Sequence, residues 1–384
     1  MNASIMKKIV FLFQSGLLFS SILTMLCVLI GCDQPPKNGD SQPTTETASH
    51  LGKSANFNAR HELVVKVPAG SGKVRVWMAM PQEVPQQKVT DLKVESPYPH
   101  RVETAADGNK YIYIEAEKLD VAEFKVVATF NIERKEVLTD IDTKRAKPLS
   151  DGEKQKMAQY LEANTNVIID DRIRQVSKEV VGDEKNPLIA ARKIYDWELK
   201  YADYWVKDPD NKKASPVGST EYCYTSKTGN CTDFHSLWTS VARASGIPTR
   251  MVYGSFFKKE LDKVDKDQSY HCWPEFYVSG MGWIPHDVAV ADLFDEEIQL
   301  TEKSKPLVQL TTASGYNGKD PKMVDFYFGN LDNRRVTWSM GRDLILAPKQ
   351  DTGPVNAMPK GFVEIDGKVS SDWTRKLTYQ EING

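Results

Sequence analysis

Cysteine is scarce. Five stand among 384 residues and no two lie at C-x-x-C spacing, which excludes a disulfide scaffold and a zinc ribbon. A surplus of one charge is also missing: 50 Lys and Arg face 52 Asp and Glu, for a net charge of −2. A dedicated nucleic-acid binder needs a basic excess, so nucleic acid is not expected as a partner. Strong compositional bias is absent too. With 40% hydrophobic and 27% charged residues, the chain is neither disordered, collagen-like nor coiled-coil. Its length buries an ample core without cross-links and accommodates about two to three domains.

One long apolar run is present, at the start. Lys7 and Lys8 precede Ile9–Ile30, which carries no charge, and Gly31-Cys32 follows. A signal peptide needs a small residue at its cut, and Gly31 supplies one. Leu29-Ile30-Gly31-Cys32 resembles the bacterial lipobox, which implies removal of residues 1–31 and a lipid anchor on Cys32. An uncleaved membrane helix is the alternative reading of the same run. Either way the rest of the chain is expected in the bacterial cell envelope, held at a membrane and facing the periplasm or the exterior. Without residues 1–31 the net charge is −4. Residues 32–58, rich in Gln, Pro, Thr, Ser and Asn, read as a flexible tether.

Residues 59–145 read as a β-sandwich domain. Leu63–Val67, the alternation of Val74, Val76 and Met78, Tyr111–Ile114 and Phe124–Phe130 are strand patterns, separated by turns at Ala69–Gly72 and Asp107–Asn109. Nothing there assembles a reactive group. A helical stretch comes next, with a capping box at Ser150–Glu153 and a helix opened by Asn186-Pro187. Residues 301–384 read as a β-rich C-terminal extension, with Asp366-Gly367 marking a hairpin.

The chemistry is concentrated between them. In Gly229-Asn230-Cys231-Thr232-Asp233, Asn230 suits an N-cap and Asp233 the third helical position, so Cys231 opens a helix that Gly246 ends. Phe234, Leu237, Trp238 and Val241 fall on one face, which is expected to be buried. At a helix N-terminus the dipole favours a thiolate, and the Cys231 N–H is expected to be open to an oxyanion. A hairpin lies downstream. A three-residue loop ending in Gly280 pairs Tyr277 with Met281 and Glu275 with Trp283, which brings Asp287 opposite His271. Thiol, imidazole and carboxylate then stand in a workable order.

These motifs resemble the transglutaminase-like superfamily: Gly229–Tyr253 with Gly246-Ile-Pro-Thr-Arg250, His271-x-Trp273-x-Glu275, Trp283-x-Pro285-x-Asp287, and the flanking Phe328-Gly-Asn-Leu-Asp332-x-x-Arg335. The resemblance implies an α+β fold, papain-like, with the Cys-bearing helix packed on an antiparallel sheet and the β-sandwich before it. It assigns the catalytic core to residues 146–300 and implies that Cys231 is nucleophile, His271 base and acid, and Asp287 the group that orients His271. The implied enzyme hydrolyses peptide or amide bonds of a protein or peptide substrate through a thioester. A protein-glutamine transamidase and an inactive scaffolding module are the alternatives. No cofactor or metal is implied. His235 and His286 read as structural, and Asp292–Glu297 as a solvated loop rather than a calcium site. Trp205 or Tyr222 could supply a second oxyanion donor. Cys223 and Cys272 either pair or stay free, and strand alternation turns Cys272 away from His271.

Overall fold

Alternating burial along two unusually long strands builds the first half of the molecule. The computed structural model describes residues 49–264, 269–312 and 315–382; the apolar N-terminal run and Cys32 lie outside them. Among the described residues no helix is long and apolar enough to cross a membrane. Strand β1 is Ser49–Lys66, β2 Lys73–Ala79, β3 Gln87–Glu95, β4 His100–Thr104, β5 Lys110–Glu117 and β6 Glu123–Thr139. Helices α1 (Asp151–Lys156), α2 (Asp171–Val181) and α3 (Pro187–Tyr201) follow, then β7 (Asp203–Tyr204), α4 (Thr220–Ser226), β8 (Thr228–Gly229) and α5 (Cys231–Ala244). The remaining elements are β9 (Thr249–Phe256), β10 (Tyr270–Val278), β11 (Gly282–Pro285), α6 (Val288–Asp295), α7 (Ser304–Thr312), α8 (Pro321–Phe326), β12 (Arg335–Met340), β13 (Gly361–Ile365), β14 (Lys368–Val369) and β15 (Trp373–Ile382).

Two antiparallel sheets, ordered β15-β1-β6-β3 and β14-β13-β2-β5-β4, face each other. Phe57, Leu63 and Val65 of β1 and Val126, Phe130 and Ile132 of β6 point into the shared core with Val76, Met78, Ile112 and Ile114. Each of these strands buries every second residue, as one face on a core requires. The expected tether is therefore shorter than residues 32–58. Ala55 and Phe57 are already core residues, because Asn56 and Asn58 between them take the outer face. The expected β-rich C-terminal extension also holds helices. Residues 304–312 and 321–326 are helical, and β13, β14 and β15 are integral strands of the two sandwich sheets. Asp366 and Gly367, both at positive φ, turn β13 into β14 as their sequence demands.

A third antiparallel sheet, β11-β10-β9-β12, carries the helical layer. Helix α5 is its central rod and is buried along Cys231–Arg243, not on one face alone. Its apolar side chains meet β9 and β10 through Met251, Tyr253, Cys272 and Phe276, and α3 through Ala191, Ile194 and Tyr195. The capping box at Ser150 and the Pro187 start of α3 are both present. The sheet also touches the sandwich: Trp338 of β12 packs edge-on against Phe130, and Phe257 stacks on Tyr379 with ring centroids 4.0 Å apart.

Candidate active site

The start of α5 is fixed from both sides. Asn230 accepts from the N–H groups of Thr232 (2.9 Å) and Asp233 (3.1 Å), while Asp233 Oδ2 accepts from the Asn230 N–H at 2.9 Å. Gly229 permits this closure, since a Cβ there would come within 2.3 Å of Asp233 Cβ. Cys231 is thereby held at the first helical position, 3% exposed. The parallel pairing of β7 with β8 sets Tyr204 beside Gly229, and the Cys231 N–H works to lower the buried Tyr204 hydroxyl, which desolvation holds well above its ordinary range.

Asp287 reaches His271 by a different route from the one the hairpin pattern predicts. The observed pairs are Tyr277 with Trp283 and Glu275 with Pro285, two residues along from expectation. Gly280 and Gly282 both adopt positive φ, so the loop is Ser279–Met281, closed by the Met281 N–H on the Val278 carbonyl at 3.0 Å. The ladder stops at Pro285, and Asp287 leaves the sheet to become the N-cap of α6, accepting from the Val290 N–H at 3.0 Å. From that cap its Oδ2 lies 2.6 Å from His271 Nε2. The bond occupies Nε2 and leaves Nδ1 as the nitrogen for the Cys231 sulfur.

Asp287 is fully buried and has more partners than His271. The Arg335 guanidinium of β12 donates to the same Oδ2, while its Nε donates to Asp332 at 2.9 Å. Arg335 is itself fully buried, over the Phe256 ring at 4.2 Å. His235 Nε2 lies 3.3 Å from Asp287 Oδ1, but too poorly aligned for a hydrogen bond. Desolvation works to raise the Asp287 carboxyl, yet the charges of His271 and Arg335 hold it well below the usual carboxylate range. Desolvation likewise pushes His271 down, and the charges of Asp287 and Cys231 outweigh it, so the imidazole ends above 6.5. The Cys231 thiol is held well below the ordinary thiol range, first by a hydrogen bond from the Cys272 thiol, then by the charge of His271.

Cys272 does not stand apart from this site, contrary to the sequence expectation. Alternation does turn it from the His271 face of β10, but that opposite face carries α5. Its sulfur therefore meets Cys231, Thr232 Oγ1 at 3.4 Å and His235 Nδ1 at 3.4 Å. Cys223, Cys231 and Cys272 are all free thiols, so no Cys223–Cys272 bond is present. His286 is packed on Trp238, ring centroids 4.0 Å apart. Asp292 and Glu296, read from the sequence as a solvated loop, instead pair with Lys207 at 2.9 and 2.8 Å, and Asp292 is buried. Among the described residues no three His, Cys, Asp or Glu converge as metal ligands.

At the start of α5, lined by the neighbours of Cys231 in the chain and not by Cys231 itself, runs a groove of about 290 Å³. Asn230, Thr232 and Tyr270 form one wall, and Pro216–Gly218 and Val355–Ala357 the others. Gly218, at positive φ, allows the 216–218 segment to lie on Thr232, where a Cβ would come within 2.2 Å of its methyl group.

Comparisons with known proteins place part of the chain in a family and its fold beside solved structures. Residues 174–288 match the family described as the transglutaminase-like superfamily. An uncharacterised protein of Haemophilus influenzae is 25% identical, over 90% of this chain and 94% of that one. A candidate cysteine protease from Cytophaga hutchinsonii, 17% identical, superposes with a TM-score of 0.56 over 88% of this chain and 93% of its own, a likeness of fold. The periplasmic domain of TgpA from Pseudomonas aeruginosa is more distant, 12% identical over 64% of this chain and 88% of its own, with a TM-score of 0.31. Residues 174–288 are a transglutaminase-like core of mixed α and β structure, whose sheet is completed by a strand from outside that span.

Proposed function

We propose that the chain is an acyl-transfer enzyme of the bacterial cell envelope, anchored through a lipidated Cys32, that hydrolyses peptide or amide bonds of a protein or peptide substrate. The observation that carries this reading is the buried contact of 2.6 Å between His271 and Asp287 beside a thiol at a helix N-terminus. In the proposed cycle the Cys231 thiolate attacks the carbonyl carbon and forms a tetrahedral oxyanion. His271 Nδ1 gives its proton to the leaving amine, the C–N bond breaks and a thioester remains. Water then gives a proton back to His271 and its oxygen displaces the sulfur, releasing the acid. Asp287 keeps the imidazole in the tautomer that exposes Nδ1 and stabilises its charged form, with Arg335 fixing Asp287 in turn. The groove between Thr232 and Val355–Ala357 is the path by which an extended peptide reaches the sulfur.

The test is a fluorescent peptide and amide library incubated with the wild type and with Cys231→Ala. Turnover by the wild type and none by the variant is expected; equal turnover by both removes the proposal. Adding a primary amine to the same assay separates hydrolysis from transamidation, since the amide product then carries the added amine.

A further inference from the structure

The sandwich meets the third sheet through a buried cation. Arg134 lies on the inner face of β6, two residues beyond Ile132, and is fully buried. Among the described residues none of its three guanidinium nitrogens has a hydrogen-bond partner. The acids whose charges reach it are engaged elsewhere: Asp332 accepts from Arg335 Nε at 2.9 Å, and Glu275 pairs with Arg250 at 2.6 Å. Arg335, the third charge felt at Arg134, is another cation. Burial pushes the Arg134 guanidinium down to about 9 against the pull of Asp332 and Glu275, so it stays charged at neutral pH. A charge taken out of water without a counter-charge is costly.

Other orphaned donors stand at the same junction. Gln87, opposite Arg134 across β3 and β6, accepts from the Thr337 N–H at 2.9 Å and donates to the Thr337 carbonyl at 3.1 Å. Thr337 pairs with Gly254, and a Cβ on Gly254 would come within 2.7 Å of the Trp273 ring. The Arg335 guanidinium lies 5.5 Å from that ring. The buried Trp273 indole N–H, the Thr337 hydroxyl and Arg335 Nη2 likewise have no hydrogen-bond partner among the described residues. Guanidinium and indole only donate. A water molecule would bring this set two more protons and no charge, whereas an anion brings lone pairs and the missing negative charge. We propose that the junction binds a small inorganic anion of the halide class, chloride, held by the Arg134 guanidinium and the Trp273 N–H. The ion ties β6 of the sandwich to β10 and β12 of the third sheet, and it lies between Arg134 and the Arg335 that holds Asp287. The site stands apart from the acyl-transfer reading, since neither Arg134 nor Trp273 takes a step in that cycle.

The test is thermal unfolding of the full-length chain at constant ionic strength, with sodium gluconate replaced stepwise by sodium chloride. The wild-type midpoint is expected to rise by about 2–4 °C and then level off, as binding at one site requires. Arg134→Met replaces the buried charge with an apolar side chain of similar length, so it is expected to fold without chloride and to show no response to it. Crystals of the same chain grown in sodium bromide are expected to carry one anomalous scatterer beside the Arg134 guanidinium and Trp273 Nε1. Equal wild-type midpoints in chloride and gluconate would overturn the proposal. So would a chloride response that survives in Arg134→Met, or bromide crystals with no anomalous peak at this position. Should Arg134→Met not fold, the wild-type titration and the bromide crystals still decide.

Discussion

The sandwich and the transglutaminase-like core are both built on antiparallel ribbons, yet they spend their burial differently. Between β1 and β6 the ladder runs from Ser49 opposite Thr139 to Lys66 opposite Glu123, interrupted by one irregularity between Leu51 and Ser54, and its inner face is largely apolar. Between β10 and β11 it lasts four pairs and then gives way to a helix cap. Around α5 the interior holds Thr232, Asp233, His235, Ser236, Thr239 and Ser240, and beyond them Asp287 and Arg335. A long ladder specifies itself, because any one-residue slip turns a whole apolar face to water. A short one is specified by the residues just beyond its end, here a carboxylate that caps a helix and bonds an imidazole. The sandwich thus stores stability, and the core uses part of its burial to hold charge.

Paired substitutions sharpen that contrast. The largest effect is expected from Phe57→Ala in the sandwich and Arg335→Met in the core. Phe57→Ala opens a cavity worth about 3–5 kcal/mol. Removing Arg335 leaves Asp287 buried with one charge partner fewer, also worth about 3–5 kcal/mol. Urea unfolding should show similar losses, whereas the iodoacetamide rate at Cys231 should fall only in Arg335→Met. An equal fall in both would erase the distinction between the regions. Gly254→Ala comes next. Its Cβ would stand 2.4 Å from the Val336 carbonyl oxygen and 2.7 Å from the Trp273 ring, so β9 and β12 must part, at a cost of about 1–3 kcal/mol in the same unfolding experiment. Asn230→Ala removes the cap of α5 and should lower stability by about 1 kcal/mol. Its sharper readout is Cys231, whose labelling at neutral pH should slow as the helix start frays.

The smallest effect is one of shape with pH. Asp287, held down by His271 and Arg335, contributes stability that is present above the ordinary carboxylate value of 3.8 and lost as pH falls through its lower folded value. His271 is raised, so its contribution is complete below 6.5 and is lost as pH rises through its folded value. The gap in unfolding midpoint between the wild type and Asp287→Asn should therefore narrow in acid. Cys231 should label with iodoacetamide at pH values where Cys223, whose thiol burial pushes up, does not. Parallel labelling profiles for the two thiols would contradict the held-down thiolate.

Local signals were legible in the sequence wherever a residue acts on its own neighbours. Asn230 and Asp233 cap α5, Pro187 opens α3, Asp366-Gly367 turns a hairpin, and the strand patterns at 74–78, 111–114 and 124–130 fall within β2, β5 and β6. The proximity of Cys231, His271 and Asp287 was legible too, because their motifs travel together. Their geometry was not. One glycine was visible as a loop residue, but it takes Gly280 and Gly282 together to shift the register by two, a shift that keeps faces and so leaves no trace in the hydrophobic pattern. Cys272 was assigned to a face correctly and to an environment wrongly, since alternation says which side a residue takes and not which element covers that side. Arg335 lies 104 residues from Cys231 and 48 from Asp287, and only β12 pairing with β9 brings it in. The flanking Asp332-x-x-Arg335 motif was visible in the sequence, but not its use: the two are an ion pair in the fold, and Arg335 also reaches Asp287. The tether was read too long because Phe57 is one large residue among small polar ones.

The pairing of β1 with β15, Asn56 opposite Ile382 through Val65 opposite Trp373, has a consequence for biosynthesis. A polypeptide leaves the ribosome from its first residue onward. β1 and β2 therefore emerge early, each missing a neighbour that is made more than two hundred residues later. During that interval one flank of each sandwich sheet is an open strand edge, the kind of surface that templates association with other chains. Maturation of the sandwich is thus tied to completion of synthesis, and a nascent chain stalled anywhere in the core is a client for chaperones.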